Sequence, residues 1–301
     1  MTPPAQLDRL PYRAIRDRPR IEWPGGNTLA VWTVPNIEVY DFLPPPHRAR
    51  DPWPRMAHPD VVAYGHRDYG NRVGIWRLFE VAAEFDITCT MSLNLEVFKR
   101  FPTIMRECRE RGWDHLCHGL TNTQYLYDAP LEEERGYIEA CQALNVELFG
   151  KPIKGWLSPS NSYSINTPDL VAQAGIDYYC DWYHDDQPTY LDAGGRRLLC
   201  LPYSTELNDT VLYRRGYDGE DFLRFALDHF ETLYEDSKRY GLVMCIALHP
   251  FIIGQPHRID YLRRLLDAVC SRDGCWMATG AEICDWFKAP AGGNTSQADG
   301  R

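Results

Sequence analysis

The feature that most constrains this chain is the alternation of short apolar runs with longer amphipathic stretches between residues 28 and 288. Apolar runs bounded by turn residues read as buried strands, and segments with apolar residues at i, i+3 and i+4 read as helices, so the alternation predicts a parallel sheet wrapped by helices. The first strand is predicted over 28–34, after the Pro24-Gly25-Gly26 turn, and others over 87–91, 113–117, 153–157, 178–180, 198–201 and 242–248. Ile75, Leu78, Phe79, Ala82 and Ala83 form one apolar stripe, and longer amphipathic helices are expected over 220–239 and 259–269. Asn166-Thr167-Pro168-Asp169 opens a further helix with a cap residue, a first-turn proline and an acid suited to the helix dipole.

A chain of 301 residues fits one α/β barrel with extra loops, because such barrels routinely exceed 250 residues as a single domain. The expected organisation is an N-terminal extension over 1–27, the barrel over 28–288 and a frayed tail over 289–301. The stretch 41–70, rich in Pro, His and aromatic residues, is too long for a simple connection and is expected to act as a lid or a subunit contact. A net charge of −10 gives no reason to expect nucleic acid or an anionic membrane as partner. No run reaches the roughly 18 apolar residues of a membrane helix and no secretion signal opens the chain, so a cytoplasmic location is expected. The ten cysteines lie mostly in apolar runs without a Cys-x-x-Cys pair, which predicts buried free thiols.

In such a barrel, chemistry belongs at the carboxyl ends of the strands, where the loops converge. Polar residues follow most of the predicted strands: Asn36 and Glu38, Ser92 and Asn94, His118 and Asn122, Ser158, Asp181 and Trp182, Tyr203 and Glu206, then His249. Strand ends are often polar in any protein, but His118 and His249 each stand directly after a buried-looking run, where a positioned acid, base or ligand is plausible. The remaining histidines read as structural: His47, His58 and His66 in the long loop, His115 as a hydrogen-bonded strand residue, His184 and His257 at the rim, and His229 on a helix.

The ordered set Asn-x-Glu, His-Gly-x-x-Asn, x-x-Pro, Asp-Trp and Leu-x-His resembles the motif series of the polysaccharide deacetylase superfamily, over about residues 28 to 288. The segment Tyr69-Gly70-Asn71-Arg72-Val73-Gly74-Ile75-Trp76-Arg77-Leu78 is similar to the helix entry of its allantoinase-like and cyclic imide hydrolase-like branch. The resemblance implies a distorted (β/α) barrel, single domain, and a hydrolase acting on a non-peptide amide bond. It places Glu38 where the family has a metal-binding Asp, Asn36 where it has its base, and His118 at the first metal-binding His. Asn122 stands where the second His would be, Ser158 replaces an Arg, and Asp181 and His249 match directly.

Amide hydrolysis needs an activated water, a stabilised oxyanion and a protonated leaving nitrogen. The expected assignment makes Glu38 the general base or a metal ligand and His118 the group that orients the water or the carbonyl, with His249 the acid, held by Asp181. Asn36, Asn122, Ser158 and Trp182 are expected on the substrate side, because amides offer both a donor and an acceptor to a cyclic amide such as a hydantoin or imide. The cofactor expectation is none, or a weakly held zinc-like divalent metal on Glu38 and His118, with no organic cofactor. Partners are expected to be a small-molecule substrate and further copies of the chain in a homo-oligomer. Two alternatives stay open: a metal-dependent N-deacetylase of an acetylated sugar or small molecule, and a catalytically silent ligand-binding protein.

Overall fold

In the computed structural model, which describes residues 9–44 and 59–289, nine strands build one curled sheet with helices packed on its outer face. The strands are β1 (Leu29–Ile37), β2 (Thr90–Leu93), β3 (Asp114–Cys117), β4 (Gly155–Trp156), β5 (Tyr178–Tyr179), β6 (Thr189–Ala193), β7 (Arg196–Cys200), β8 (Leu242–Leu248) and β9 (Cys275–Met277). Their order is β6-β7-β5-β4-β3-β2-β1-β8, and β9 adds to the first residues of β1. Every pairing is parallel except that of β6 with β7. Among the described residues no ladder joins the two edge strands, β8 and β6, so the barrel stays open there. Single contacts span the seam: Trp32 Nε1 donates to the Pro202 carbonyl at 3.1 Å and the Val243 N–H to the Asp186 carbonyl at 2.9 Å.

Two apolar layers follow from strand alternation. Leu29, Val31 and Ile37 of β1 pack outward with Met244, Ile246 and Leu248 of β8 and with helical residues such as Leu78 and Leu265. Ala30, Trp32 and Val34 point inward, where they meet Leu116, Tyr178, Val243, Cys245 and Ala247. Ile21 and Trp23 of the N-terminal extension join this inner layer, and Trp23 Nε1 donates to the Leu242 carbonyl at 2.9 Å. Burial of each such large side chain contributes roughly 1.5–3 kcal/mol. The extension therefore seals the end of the barrel opposite the strand carboxyl ends.

The helices are α1 (Val61–Tyr69), α2 (Ile75–Glu84), α3 (Val97–Arg100), α4 (Pro102–Glu110), α5 (Leu131–Phe149), α6 (Thr167–Gln173), α7 (Asp209–Arg214), α8 (Gly219–Tyr240), α9 (Ile259–Cys270) and α10 (Gly280–Lys288). The stripe predicted for α9 is its buried face, Leu262, Leu265, Leu266 and Val269; that of α2 is buried at Ile75, Leu78, Phe79 and Ala82, but Ala83 at its edge is exposed and Val81 is buried in its place. All ten cysteines are free thiols, eight of them buried. No helix among the described residues is long and apolar enough to cross a membrane.

Two regions differ from the sequence expectation. The run 198–201 belongs to a β6–β7 hairpin whose two-residue Gly194-Gly195 turn takes φ of 63° and 83°, the backbone that tight hairpins need. The long 41–70 stretch is helical over Val61–Tyr69, started by Asp60, whose carboxylate accepts the Ala63 N–H at 3.0 Å. Residues 45–58 of that stretch, with His47 and His58, and the tail beyond residue 289 lie outside the described residues.

Candidate active site

Alternation carried past the strand ends places the candidate residues. On β1 the inward series Ala30, Trp32, Val34 continues through Asn36 to Glu38; on β8 Val243, Cys245 and Ala247 lead to His249; on β3 Leu116 leads to His118. The three side chains meet. Glu38 Oε1 lies 3.5 Å from His118 Nε2 and 3.7 Å from His249 Nε2, and the three residues are 6%, 2% and 7% exposed. They face a cavity of about 120 Å³, whose wall includes Asn36, Asn161 and Tyr203.

Neighbouring groups hold each member. Tyr40 donates to Glu38 Oε2 at 2.5 Å and Asn122 Nδ2 to Glu38 Oε1 at 2.8 Å, while Asn122 Oδ1 accepts the Ser160 N–H at 2.6 Å. His118 Nδ1 is 2.9 Å from the Leu157 carbonyl, so that nitrogen carries the hydrogen and Nε2 presents a lone pair when the ring is neutral. Asn94 ties two strand ends together, accepting from the Val39 N–H at 2.9 Å and donating to the His118 carbonyl at 2.5 Å. His249 Nδ1 lies 2.7 Å from Asp209 Oδ1, and Asp209 Oδ2 accepts the His249 backbone N–H at 2.8 Å.

These contacts set the charges. Burial would raise the Glu38 pKa, but the charge of His249, the His118 ring when protonated and the Tyr40 hydroxyl outweigh it and lower it from the ordinary carboxylate value. Burial would lower the His249 pKa, but the Glu38 and Asp209 carboxylates prevail and raise it. An imidazolium between two carboxylates is the favoured state of His249.

The segment 69–77 explains its own glycines. It passes through one π-helical turn, Gly70–Gly74, and lies against the turn that follows His249. A Cβ on Gly70 would come within 2.8 Å of the Phe251 nitrogen, and one on Gly74 within 2.0 Å of the Pro250 carbonyl oxygen. Arg77 donates to the Gly254 carbonyl at 2.7 Å, and Asn71 Nδ2 to the Glu38 carbonyl at 2.7 Å. This segment braces both Glu38 and the His249 turn from behind.

Several expected residues stand elsewhere. Asp181 does not touch His249: Ser158 donates to it through its backbone N–H at 2.7 Å and its hydroxyl at 2.6 Å, and burial pushes its pKa up to about 6 against those bonds. Alternation is the reason, because Asp181 follows Tyr179 and Ser158 follows Trp156, and both of those side chains belong to the outer layer. Ser158 is fully buried and also accepts from Trp156 Nε1 at 3.0 Å, so it is away from the cavity. Trp182 packs on the outer layer beside His184. Asn122 spends its oxygen on Ser160 and its nitrogen on Glu38 and Tyr40, so it shapes Glu38 and has no amide edge left for a substrate. Asn36 lines the cavity but gives its Nδ2 to Tyr203 at 2.9 Å and to the Leu248 carbonyl at 3.1 Å. His115 has the structural role expected of it, stacked on Phe149 at 3.8 Å and 2.9 Å from Asn145 Oδ1.

Asp209 and Tyr40 were not legible as site residues. Tyr40 does keep the inward parity of Asn36 and Glu38, a usable signal. Asp209 opens α7, a six-residue helix capped by Asn208, 40 positions before the histidine it holds, and no spacing rule links the two.

The donor set bears on a metal. The Ser160 N–H needs an acceptor, which fixes the Asn122 oxygen away from Glu38 and presents N–H where the family has an imidazole nitrogen. His249 gives its Nδ1 side to Asp209, and the raised pKa favours its charged form, which has no lone pair for an ion. Glu38 and His118 remain, one ligand short of the three usual at an open catalytic site, and no group of three His, Cys, Asp or Glu suited to a metal occurs among the described residues. This pair fits a weakly held ion at most, and no step below passes through one.

No family model matches the chain. A candidate polysaccharide deacetylase of Schizosaccharomyces pombe is 26% identical over 244 residues, covering 74% of this chain and 75% of its own. Among solved structures, a PuuE allantoinase superposes with a TM-score of 0.78 at 24% identity, covering 92% of this chain and 98% of its own. A candidate polysaccharide deacetylase from Pseudomonas aeruginosa PAO1 superposes with a TM-score of 0.78 at 25% identity, covering 91% of this chain and 96% of its own.

Proposed function

We propose that this chain, a member of the polysaccharide deacetylase superfamily, hydrolyses a non-peptide carbon–nitrogen bond in a small cyclic amide of the hydantoin or imide type. The observation that carries the reading is the triangle of Glu38, His118 and His249. Its two N···O separations, 3.5 and 3.7 Å, are longer than direct hydrogen bonds, and all three groups face the cavity within reach of one water.

In the proposed reaction that water attacks the substrate carbonyl carbon and gives its proton to His118 Nε2, whose lone pair faces it. Glu38 orients the water and stays ionised, because its lowered pKa makes it a weak proton acceptor. As the tetrahedral intermediate collapses, the C–N bond breaks and His249 Nε2 passes its proton to the departing nitrogen. Asp209 keeps the ring oriented and supports its charge through the preceding steps. The products are a carboxylate and a freed N–H. The limited cavity volume and its aromatic wall of Tyr40, Tyr125 and Tyr203 favour a small ring.

A second reading, N-deacetylation of a small acetylated molecule, is favoured by the names of the Schizosaccharomyces pombe and Pseudomonas aeruginosa relatives. Incubation with hydantoins, cyclic imides and N-acetyl compounds, with products followed by mass spectrometry, separates the two. Ring opening adds one water to the substrate, whereas deacetylation releases acetate. His249→Ala should lower either rate by about two to four orders of magnitude, and turnover close to wild type would remove it from the mechanism.

A further inference from the structure

The cavity wall contains two adjacent non-glycine residues with left-handed backbone, Ser160 at φ 53° and Asn161 at φ 55°. Such residues are uncommon singly and are retained where the surrounding structure fixes them, often at ligand sites. Here the fixing contacts are evident. Ser160 is held by its N–H on Asn122 Oδ1 and its hydroxyl on the Asn122 carbonyl at 3.1 Å. The Asn161 N–H donates to the Ser158 carbonyl at 2.9 Å, and the Asn161 carbonyl accepts from the Tyr127 hydroxyl at 3.1 Å.

The side chain of Asn161 is oriented as well. Its Oδ1 accepts the Tyr183 hydroxyl at 2.7 Å, and Tyr183 lies outside the Glu38–His118–His249 cavity, in the wall of a separate surface cleft beside the open seam. An amide whose oxygen is drawn toward that cleft turns its NH2 group the other way, toward the cavity that Asn161 lines. Of the four asparagines in this cavity wall, Asn122 and Asn36 give their NH2 groups to Glu38, Tyr40, Tyr203 and Leu248, and Asn208 is tied to the start of α7, where its oxygen accepts the Thr210 and Val211 N–H groups.

From this geometry we infer that Asn161 is a substrate-binding amide of the site: its NH2 group donates to a carbonyl oxygen of the cyclic amide, and Tyr183 is a positioning residue that fixes which end of the amide faces the ring. The inference rests on the cyclic-amide reading for the identity of the ligand. It also explains why the left-handed turn carries an asparagine, since glycine would satisfy the backbone alone.

The test separates backbone from side chain. Asn161→Gly keeps φ near 55° at no steric cost and removes the amide, and Asn161→Asp keeps the shape and the acceptor for Tyr183 but offers no donor. With succinimide and hydantoin as probes, both variants are expected to fold, Asn161→Gly with a slightly lower thermal midpoint, and to lose tenfold or more in kcat/KM. Tyr183→Phe, which lets the amide turn over, is expected to raise KM several-fold with a smaller change in kcat. Wild-type kcat/KM in Asn161→Gly would overturn the assignment, because only the backbone would then matter. Calorimetric binding of the same probes reads it independently of turnover. Wild type that binds without hydrolysis, with Asn161→Gly at least tenfold weaker, upholds Asn161 and overturns the hydrolase reading. Equal binding by both proteins, or by neither, overturns Asn161.

Discussion

His249 and Asp209 are joined twice: one carboxylate oxygen lies 2.7 Å from the ring Nδ1 and the other accepts the same residue's backbone N–H at 2.8 Å. A carboxylate bonded to both ring and main chain fixes the imidazole's position and its tautomer together. The histidine's raised pKa follows from this pair and from Glu38 acting against burial.

Asp209→Asn should therefore impair the acid without unfolding the site. The rate is expected to fall by about a hundredfold or more. Because the carboxylates raise the His249 pKa, wild-type activity should persist above the ordinary histidine range and be lost as pH rises through the raised value. In Asp209→Asn that alkaline limb should move to lower pH. A pH profile of kcat/KM with an unmoved limb would show that Asp209 does not govern this proton.

The same shifts appear in stability. His249, with its pKa raised in the fold, contributes stability that is complete below its unfolded value of about 6.5 and lost as pH rises through the folded value. Glu38, with its pKa lowered, contributes above its unfolded value of about 4.5 and loses that contribution as pH falls through the folded value. His115 runs oppositely to His249. Burial lowers its pKa to about 4, so between pH 6.5 and 4 the unfolded chain binds a proton that the fold refuses. Relative to His115→Gln, wild type should lose roughly 3 kcal/mol over that interval. Parallel thermal melts at pH 7.5 and 4.5 check this, and a constant gap between the two proteins would refute it.

Gly74→Ala should cost about 1–3 kcal/mol or more, since the new methyl group would meet the Pro250 carbonyl oxygen, a backbone atom that cannot swing aside. Activity should fall with it, because Pro250 follows His249. Gly65→Ala, where nothing lies within 4 Å, is the matched control and should be neutral or slightly stabilising. Thermal midpoints of the two variants make the comparison.

Exhaustive dialysis against a chelator should leave turnover within about twofold of the untreated enzyme, as expected of a site with two suitable ligands. Loss of activity restored by zinc would require Asn122 to give up the Ser160 N–H and would overturn the proton-transfer scheme above.

Local patterning was enough to read the barrel and the inward placement of three mouth residues. Strand alternation is a local, period-two property, so the parity of Ala30, Trp32 and Val34 carries Glu38 inward, and the same counting carries His118 and His249. Parity also held the signal against Asp181 and Ser158, each two residues beyond an outward side chain, but it is readable only when it is known which face of β4 and β5 is the inside. Both are two-residue strands, one a glycine and a tryptophan and the other two tyrosines, too short to show a pattern. The long-range partners needed the assembled fold: Asp209 on His249, Asn122 on Glu38, Tyr183 on Asn161. Those are hydrogen bonds between segments whose separation in sequence is arbitrary, set by how neighbouring loops pack above the strands, and no local periodicity encodes them.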